Sequence, residues 1–159
     1  MIDSPLEQVI EAWHTNHRIN TLLMENISDE GMKCTLSTRG GRNVCRQFAH
    51  IHTNRVWQLE SRAKKLASGL HKFATAEEPD HSTLYEHHEA STEAVTDFFR
   101  MAAAGSAGVR TFKKGLVVHL CYFVAHESHH RGNILLTLKQ SGHAVDKRIR
   151  DIIWDWDRR

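Results

Sequence analysis

The sequence predicts an all-α fold, a four-helix bundle formed by a single domain over residues 1–159. Three observations carry this prediction. Four long segments repeat apolar residues at the three- and four-residue spacing of a helix face, and no segment alternates apolar and polar residues as a strand does. Capping and turn residues separate the four segments. The chain is long enough to bury a full core, and it contains no internal repeat or low-complexity segment.

The first helix opens with Ser4-Pro-Leu-Glu7, a capping box with proline at the first helical position, and runs to about Asn26. Its core face carries Leu6, Val9, Ile10, Trp13 and Leu23. His17 lies four residues after Trp13 on this face, so we expect it to point into the bundle. Two roles stay open for His17: a hydrogen bond to a neighbouring side chain, or a direct part in a functional site.

The connection 28–42 has roughly fifteen residues, whereas connections in helical bundles usually have about 2–8. We therefore expect it to cover one end of the bundle. The second helix begins near Asn43, a favourable N-cap residue, and ends at Gly69. One stripe of this helix is formed by Val44, Phe48, Ile51, Arg55 and Leu59.

The third helix is expected to be capped by Ser82 or Thr83 and to reach about Ala104. Its buried side is formed by Leu84, Ala94, Val95, Phe98 and Met101. Its solvated side is formed by Glu86, Glu89 and Glu93.

The fourth helix follows Lys113-Lys-Gly115 and ends at Gly142. Gly132 lies inside this helix, where glycine is about 1 kcal/mol less favourable than alanine. Two reasons for a glycine here stay open: close approach of a neighbouring backbone, or a packing role elsewhere. The apolar tail 146–159 is expected to pack as a short C-terminal helix or extension, across the bundle or into a partner.

Composition excludes several classes of protein. Hydrophobic residues at 40% and charged residues at 25% are ordinary for a globular domain. The net charge is only +2 and no basic stretch is interleaved with aromatic residues, so no nucleic acid partner is expected. We expect no membrane span, because no apolar run reaches about 18 residues, and no signal peptide, because Met1-Ile-Asp-Ser-Pro5 leads straight into a capped helix. Three cysteines far apart argue against a disulfide framework, and a reducing cytoplasm is the expected location.

The most informative feature is His126-Glu-Ser-His-His130, inside the apolar fourth helix. Four residues at about 100° each come to roughly 400°, so His126 and His130 share one helix face, one turn apart. Two imidazoles so placed can bind one transition metal from the same side. His126 and His130 are therefore candidate metal ligands.

Two metal motifs fit this segment in part and fail elsewhere. His126-Glu127-x-x-His130 matches the zincin protease motif, but Leu136 occupies the position of a third ligand and no Glu follows Glu127. Glu127-x-x-His130 is half of a di-iron carboxylate site, which needs a second Glu-x-x-His on another helix. Another such match, Glu78-Pro-Asp-His81, lies on a turn that contains proline, and the site would also need two further inward glutamates. We reject both alternatives.

The second helix offers a third ligand, His50, at the edge of its apolar stripe. His52 is about 200° further round, so only one of the two can face a given site. Three neutral imidazoles from two helices would form an open site, in which water or substrate takes the remaining positions. From spacing alone, a His50 that only packs or caps in the bundle interior is an equal alternative.

The segments Phe48–Trp57 and His126–Leu136 resemble the two signature helices of the DinB/YfiT-like metalloprotein superfamily. The resemblance extends from Trp13 to the helix end at Lys139–Gly142. It implies a four-helix bundle in up-down-down-up order, usually a homodimer, that binds one divalent ion such as zinc or nickel. Neither His52 nor His129 matches a ligand position of the superfamily. The ligands that the resemblance implies are His50, His126 and His130.

Characterised members of the superfamily include thiol-dependent transferases, so the resemblance implies a metal-dependent transferase that acts on a low-molecular-weight thiol. Two alternatives need the same ligands and stay open: a metal-dependent hydrolase that uses bound hydroxide, and a non-catalytic metal-binding protein. Glu127 is expected to bond a neighbour or face outward rather than act as a base. Candidates for substrate contact, or for a structural role, are Arg46, Asn54, Tyr122 and Asn133.

Other histidines and cysteines are expected to be unrelated to the site. Cys45 and Cys121 each precede a proposed ligand by five residues, about 140° off its helix face, and are predicted to be small core residues. Five histidines in polar or turn-like surroundings are expected at the surface: His71, His81, His87, His88 and His143.

Overall fold

A computed structural model of the protein describes residue 2 and residues 4–158. Within the described residues all regular structure is helical, so the all-α prediction is confirmed. The four long helices are α1 (Pro5–Glu25), α3 (Val44–Arg62), α5 (His81–Ala103) and α6 (Leu116–Gln140). The short elements are α2 (Asp29–Lys33), α4 (Lys64–Ala67), α7 (Lys147–Ile152) and a 3₁₀ turn at Trp156–Arg158.

Side-chain contacts give the relative direction of the packed helices, because partner positions advance together in a parallel pair and in opposite senses in an antiparallel pair. The contacts are His14 with Thr96 and His17 with Glu89 (α1 and α5), Asn16 with Glu127 and Asn20 with Arg131 (α1 and α6), and His50 with His130 and Asn54 with Tyr122 (α3 and α6). Hence α1 and α6 run one way, while α3 and α5 run the other. The predicted up-down-down-up bundle is confirmed.

The link between α3 and α5 has to return along the bundle, because these two helices run in the same direction. The short helix α4 and the irregular stretch 68–80 make this crossing. Leu70 packs against one apolar cluster of the core and Phe73 belongs to the other, so the stretch passes from one cluster to the other.

The core consists of two apolar clusters with a polar layer between them. The Trp13 cluster includes Leu59, Phe98 and Phe123, and the Phe48 cluster includes Leu23, Leu84 and Ile134. The polar layer is formed by buried residues of all four long helices: Asn16, Asn20, Arg55, His88, Ser91, Thr92, Glu127, His130 and Arg131. Each long helix therefore carries apolar, polar and apolar segments in turn along its buried face.

The helix starts agree with the capping chemistry at two of three predicted positions. Ser4 accepts a hydrogen bond from the Glu7 amide at 3.5 Å, and Asn43 accepts one from the Arg46 amide at 2.9 Å. The expectation that Ser82 or Thr83 caps the third helix is wrong. Asp80 does so, since its carboxylate accepts from the Thr83 amide at 2.8 Å.

The second long helix ends earlier than predicted, at Arg62 rather than Gly69. Ala63 leaves the helical conformation with φ −153° and ψ 59°, and the chain then forms the separate helix α4 before Gly69 turns with φ 86°. Ala63 is buried in the Trp13 cluster, so we attribute the position of this break to packing. No proline or glycine marks it in the sequence.

The connection between α1 and α3 and the C-terminal segment around α7 both pack apolar side chains onto the Phe48 cluster. In the connection between α1 and α3, Met32 of α2 is buried there. At the C-terminus, Val145 and Ile153 on either side of α7 are buried there too, as expected for a short packing helix. Trp154 is 79% exposed.

Three residues differ from their predicted environments. Gly132 is exposed, and a Cβ atom built there would have no neighbour within 4 Å, so close backbone approach is not the reason for this glycine. Cys121 is exposed, whereas Cys45 is buried as predicted. His88 is buried, with its Nε2 2.9 Å from the Phe48 carbonyl, although we expected it at the surface. No helix among the described residues combines the length and the apolar character that crossing a bilayer demands.

Candidate metal centre

The structure brings together the three histidines that the sequence singled out. His50 lies on α3, and His126 and His130 lie one turn apart on the facing side of α6. Their ring centroids are 4.7 Å apart for His126 and His130, 4.8 Å for His50 and His130, and 5.3 Å for His50 and His126. One nitrogen of each ring lies within 4.8 Å of the other two. Since α3 and α6 are antiparallel neighbours, one residue of α3 can face two residues of α6.

These nitrogens have the chemistry that a metal site needs. Zn–N distances of about 2.0–2.1 Å in a tetrahedral site place ligand nitrogens about 3.4 Å apart, which small side-chain rotations would reach from here. The buried Nδ1 atoms of His126 and His130 have no hydrogen-bond partner among the described residues. A buried polar atom without a partner is costly, so an external ligand for these rings is favoured.

All three rings are neutral near pH 7. Burial lowers the pKa of His50 to about 4, and the charge of Arg42 contributes. Burial, followed by repulsion from His126 and His50, lowers the pKa of His130 to about 3. Burial also lowers the pKa of His126, against the opposing effect of Glu127. A neutral imidazole keeps the lone pair with which histidine binds a metal.

The other two histidines of the motif segments are not part of the cluster. His129 is exposed, and its Nε2 lies 3.1 Å from Nδ2 of Asn133. His52 is buried on another face of α3, where Ser91 Oγ lies 3.1 Å from Nδ1 and the His71 carbonyl 2.8 Å from Nε2. Both nitrogens of His52 are therefore engaged within the protein.

Glu127 lies in the polar layer, turned away from the three histidines towards Arg55. Arg55 donates two hydrogen bonds to its carboxylate, at 2.7 and 2.9 Å, and both side chains are essentially inaccessible to solvent. Asn16 and Asn20 of α1 donate two more, at 2.6 and 2.7 Å. Burial alone would raise the pKa of Glu127, but Arg55 lowers it below its usual value. Glu127 is thus a bonded carboxylate and cannot serve as the base of a zincin protease.

The same network reaches the remaining helices. Arg55 donates to Thr92 Oγ1 of α5 at 2.8 Å, and Arg131, next to the proposed ligand His130, donates to Asn20 Oδ1 at 2.9 Å. Arg55 belongs to the apolar stripe predicted for the second helix. A charged residue on such a stripe indicates that a buried residue of opposite charge pairs with it. Its partner could not be named from the sequence, because the two residues are 72 positions apart.

The predicted contact residues lie around the histidines in different roles. Tyr122 stacks on His126 with ring centroids 6.0 Å apart, and Asn54 donates to the Tyr122 hydroxyl at 3.3 Å. Trp57 meets the edge of His50 at 5.9 Å. His17 is buried at the α1–α5 contact, where its Nε2 lies 2.7 Å from Glu89, so the bonded role is the one observed.

Two depressions open beside the histidines. The larger, of about 340 Å³, lies beside His130 between α6 and the connection that precedes α3. The smaller, of about 40 Å³, lies beside His50 and reaches Trp57. Arg42, which sequence reasoning did not single out, lines both. It lies in an irregular segment just before the Asn43 cap, where no periodic pattern marks it. The cluster is therefore accessible from solvent on this side.

A sequence model of the DinB family matches residues 1–148 of the chain. The match includes all four long helices and the three clustered histidines. Comparison with curated proteins gives no match, and neither does comparison with solved structures.

Proposed function

Because the chain belongs to the DinB family, we propose that it binds one divalent transition metal ion through His50, His126 and His130 and acts as a metal-dependent transferase on a low-molecular-weight thiol. The observation that carries this proposal is the convergence of three neutral imidazoles beside a depression open to solvent, two of them with a buried nitrogen that has no hydrogen-bond partner among the residues described. Such a set holds an ion and leaves room for a further ligand.

The donor set supports activation of a thiol. An ion held by three uncharged ligands keeps its full charge and can lower the pKa of a bound thiol well below its usual value of about 8.5. Within the described part of the chain no carboxylate lines either depression, and the neighbouring Glu127 is engaged by Arg55, Asn16 and Asn20. The proton therefore passes to solvent through the open side.

The transfer itself needs little from the chain beyond positioning. The thiolate sulfur forms a bond to an electrophilic carbon of the acceptor, and the leaving group departs with the electron pair of the broken bond. Tyr122 and Trp57 flank the cluster and keep part of its surroundings apolar, which favours a desolvated and more reactive sulfur.

Zinc or nickel is our proposal for the ion. Imidazole nitrogen suits both metals, and three ligands from two helices fit a tetrahedral zinc site with one open position. Metal analysis of protein purified without added metal, followed by reconstitution of the chelated protein, would identify the ion that restores activity.

Conjugation of a thiol to an electrophile tests the proposal. The metal-loaded protein should accelerate conjugation of at least one thiol from a broad panel, and His130→Ala should lose both metal and activity while keeping its helical circular dichroism. His129→Ala is the matched control for metal retention, because His129 is one position away, exposed and outside the cluster. Hydrolysis of an ester substrate without any thiol, together with no conjugation, would instead favour chemistry by bound hydroxide.

We also propose that the chain forms a homodimer. Trp154 (79% exposed) and Leu136 (48% exposed) line the same groove between α6 and the C-terminal segment, an apolar surface that association would cover. Light scattering should give twice the chain mass of 18.3 kDa, and Trp154→Ser should shift the equilibrium towards the monomer. A wild-type mass near 18.3 kDa at micromolar concentration would contradict the proposal.

A reducing cytoplasm is the location that we propose. Cys34, Cys45 and Cys121 are all free thiols, as expected in a reducing compartment. Fractionation of the native cells would test it.

A further inference from the structure

The chain surrounding the candidate metal centre carries positive charge on its open side. Arg42 lines both depressions, and Arg46 lines the smaller one beside His50. Among the described residues that line either depression there is no Asp or Glu. A bound divalent ion would add to the same positive potential, since its three ligands are uncharged.

The two arginines differ in their bonding. Arg46 is engaged by the protein, because its Nε donates to the Thr75 carbonyl at 3.0 Å and its guanidinium lies 3.9 Å from Glu78. Within the described part of the chain the guanidinium of Arg42 has no ion-pair or hydrogen-bond partner. The one hydrogen bond of this residue is at its backbone carbonyl, which accepts from the Thr35 hydroxyl within the same described part. Arg42 is thus the cation that is free to bind a ligand.

The larger depression has the size and lining of a site for a polar small molecule. Its volume of about 340 Å³ lies within the range of small-ligand sites. Neutral hydrogen-bonding side chains line it beside Arg42 and His130: Thr35, Ser37, Gln47 and Asn133. Hydroxyl and amide groups can form hydrogen bonds with a polar ligand, and among the described residues that line this depression Arg42 is the only arginine or lysine.

We propose that Arg42 makes the site selective for thiols that carry a carboxylate, by binding that carboxylate in the larger depression while the sulfur lies at the histidine cluster. A guanidinium binds a carboxylate through two parallel N–H···O bonds, which fixes orientation as well as charge. Arg42 can select among thiols only if the metal centre binds one, so this inference rests on the proposed function.

Binding to cobalt-substituted protein tests the selectivity with two thiols that differ in charge and little else. 3-Mercaptopropionate carries a carboxylate, and 3-mercaptopropionamide is its neutral counterpart. A thiolate bound to cobalt gives a charge-transfer band in the near ultraviolet, from which each dissociation constant is measured. The wild type should bind the carboxylate form roughly tenfold more tightly, the effect expected of one charge-assisted hydrogen-bonded pair.

The variant Arg42→Gln should abolish the preference, bringing the two dissociation constants within about twofold of each other. Arg39→Gln is the matched control, because Arg39 lies on the same exposed connection and lines neither depression. It should keep the full preference, which separates a local contact from a general loss of positive charge.

Equal affinity of the wild type for both thiols, or a preference that survives in Arg42→Gln, would overturn the inference. Failure of both thiols to bind would instead refute the proposed thiol chemistry. In that event propionate and propionamide, followed through the visible bands of the cobalt protein, decide the charge preference: loss of a propionate preference in Arg42→Gln supports the role of Arg42, and no preference refutes it.

Discussion

Two groups of polar side chains occupy the same layer of the bundle, between α3 and α6, and they differ in how completely the protein satisfies them. Arg55 and Glu127 are inaccessible to solvent, and both Glu127 oxygens accept hydrogen bonds from the chain. The cluster of His50, His126 and His130 is partly open, and buried nitrogens of His126 and His130 have no partner within the described chain. Adjacent residues, His126 and Glu127, thus belong to opposite kinds of site.

The difference separates a structural polar group from a binding site. A buried charge is tolerated only when it is paired and hydrogen-bonded, so the Glu127 carboxylate, whose two oxygens both accept hydrogen bonds from the chain, needs nothing from outside it. Histidine nitrogens that lie together without partners gain by taking an external ligand. Neighbouring positions on a helix point about 100° apart, so one turn of α6 can serve both groups.

The largest expected effect is on folding, from Glu127→Ala. Removal of the carboxylate leaves Arg55 as a buried charge without its main partner, which typically destabilises a protein by about 3–5 kcal/mol. Urea denaturation, with the fraction folded followed by circular dichroism, measures this loss. Glu86→Ala, on the exposed side of α5, should change the free energy of unfolding by less than about 0.5 kcal/mol.

A double variant sharpens this comparison. Arg55→Met with Glu127→Met removes both charges and fills their space with apolar side chains, so it should recover part of the stability that the single substitution loses, while Asn16 and Asn20 remain without their acceptor. If Glu127→Ala were as stable as the wild type, the ion pair would contribute nothing and the polar layer would not be a structural element.

The second prediction concerns the partly open histidine cluster. His126→Ala should weaken metal binding by at least about 100-fold, because even the loss of an outer hydrogen-bond partner of a metal ligand typically costs 10- to 100-fold. It leaves no buried charge behind, so the metal-free protein should keep its stability to within about 1 kcal/mol. Competition with a fluorescent chelator measures the affinity. His129→Ala should bind metal like the wild type, and a loss there equal to that in His126→Ala would mean that α6 presents another face.

Capping and periodicity predicted the long helices, and they failed where tertiary packing decides the outcome. Ser4 and Asn43 cap their helices as expected, whereas the break at Ala63 depends on burial in the Trp13 cluster and has no local signal. His88 was assigned to the surface because its neighbours are polar. Helical phase would have placed it correctly, since it lies four residues after Leu84 and seven before Val95, both of which are buried.

The spacing of His126 and His130 identified these two histidines, because it restricts them to one face of a helix, whereas His50 was assigned from the resemblance to the DinB/YfiT-like superfamily. The Arg55–Glu127 pair could not be found in this way. It depends on the register of α3 against α6, which is set by contacts along the whole length of both helices. Arg42 was also missed, since it lies in an irregular segment where side-chain direction has no period.

A third prediction is that acid destabilises the fold through buried histidines such as His52. Burial lowers the pKa of His52 to about 4 in the folded protein, with Arg55 and His87 contributing, while the unfolded chain has the ordinary value of about 6.5. The unfolded state therefore binds the proton first as the pH falls. The stability that neutral His52 contributes is complete above about pH 6.5 and is lost between about pH 6.5 and 4, by about 2 kcal/mol from pH 7 to 5.

Urea denaturation at pH 7 and pH 5, in wild type and in His52→Gln, isolates this effect from that of the other histidines. Glutamine can still bond Ser91 and the His71 carbonyl but does not titrate. The variant should lose less stability than the wild type on acidification, by about 2 kcal/mol. Equal losses in the two proteins would mean that His52 titrates normally in the fold.

The smallest expected effect comes from removal of the metal. The Trp13 and Phe48 clusters lie on either side of the polar layer and are built from apolar side chains, and the Arg55–Glu127 ion pair is hydrogen-bonded within the chain without a metal ion. A ligand present at ten times its dissociation constant stabilises the folded state by about 1.4 kcal/mol, or about 3–6 °C in melting temperature for a chain of this size. Chelation should therefore lower the melting temperature by about this amount and leave the helical circular dichroism at 25 °C unchanged. Loss of the helical signal on chelation would show that the histidine cluster, like the ion pair beside it, holds the bundle together, and the contrast between the two groups would fail.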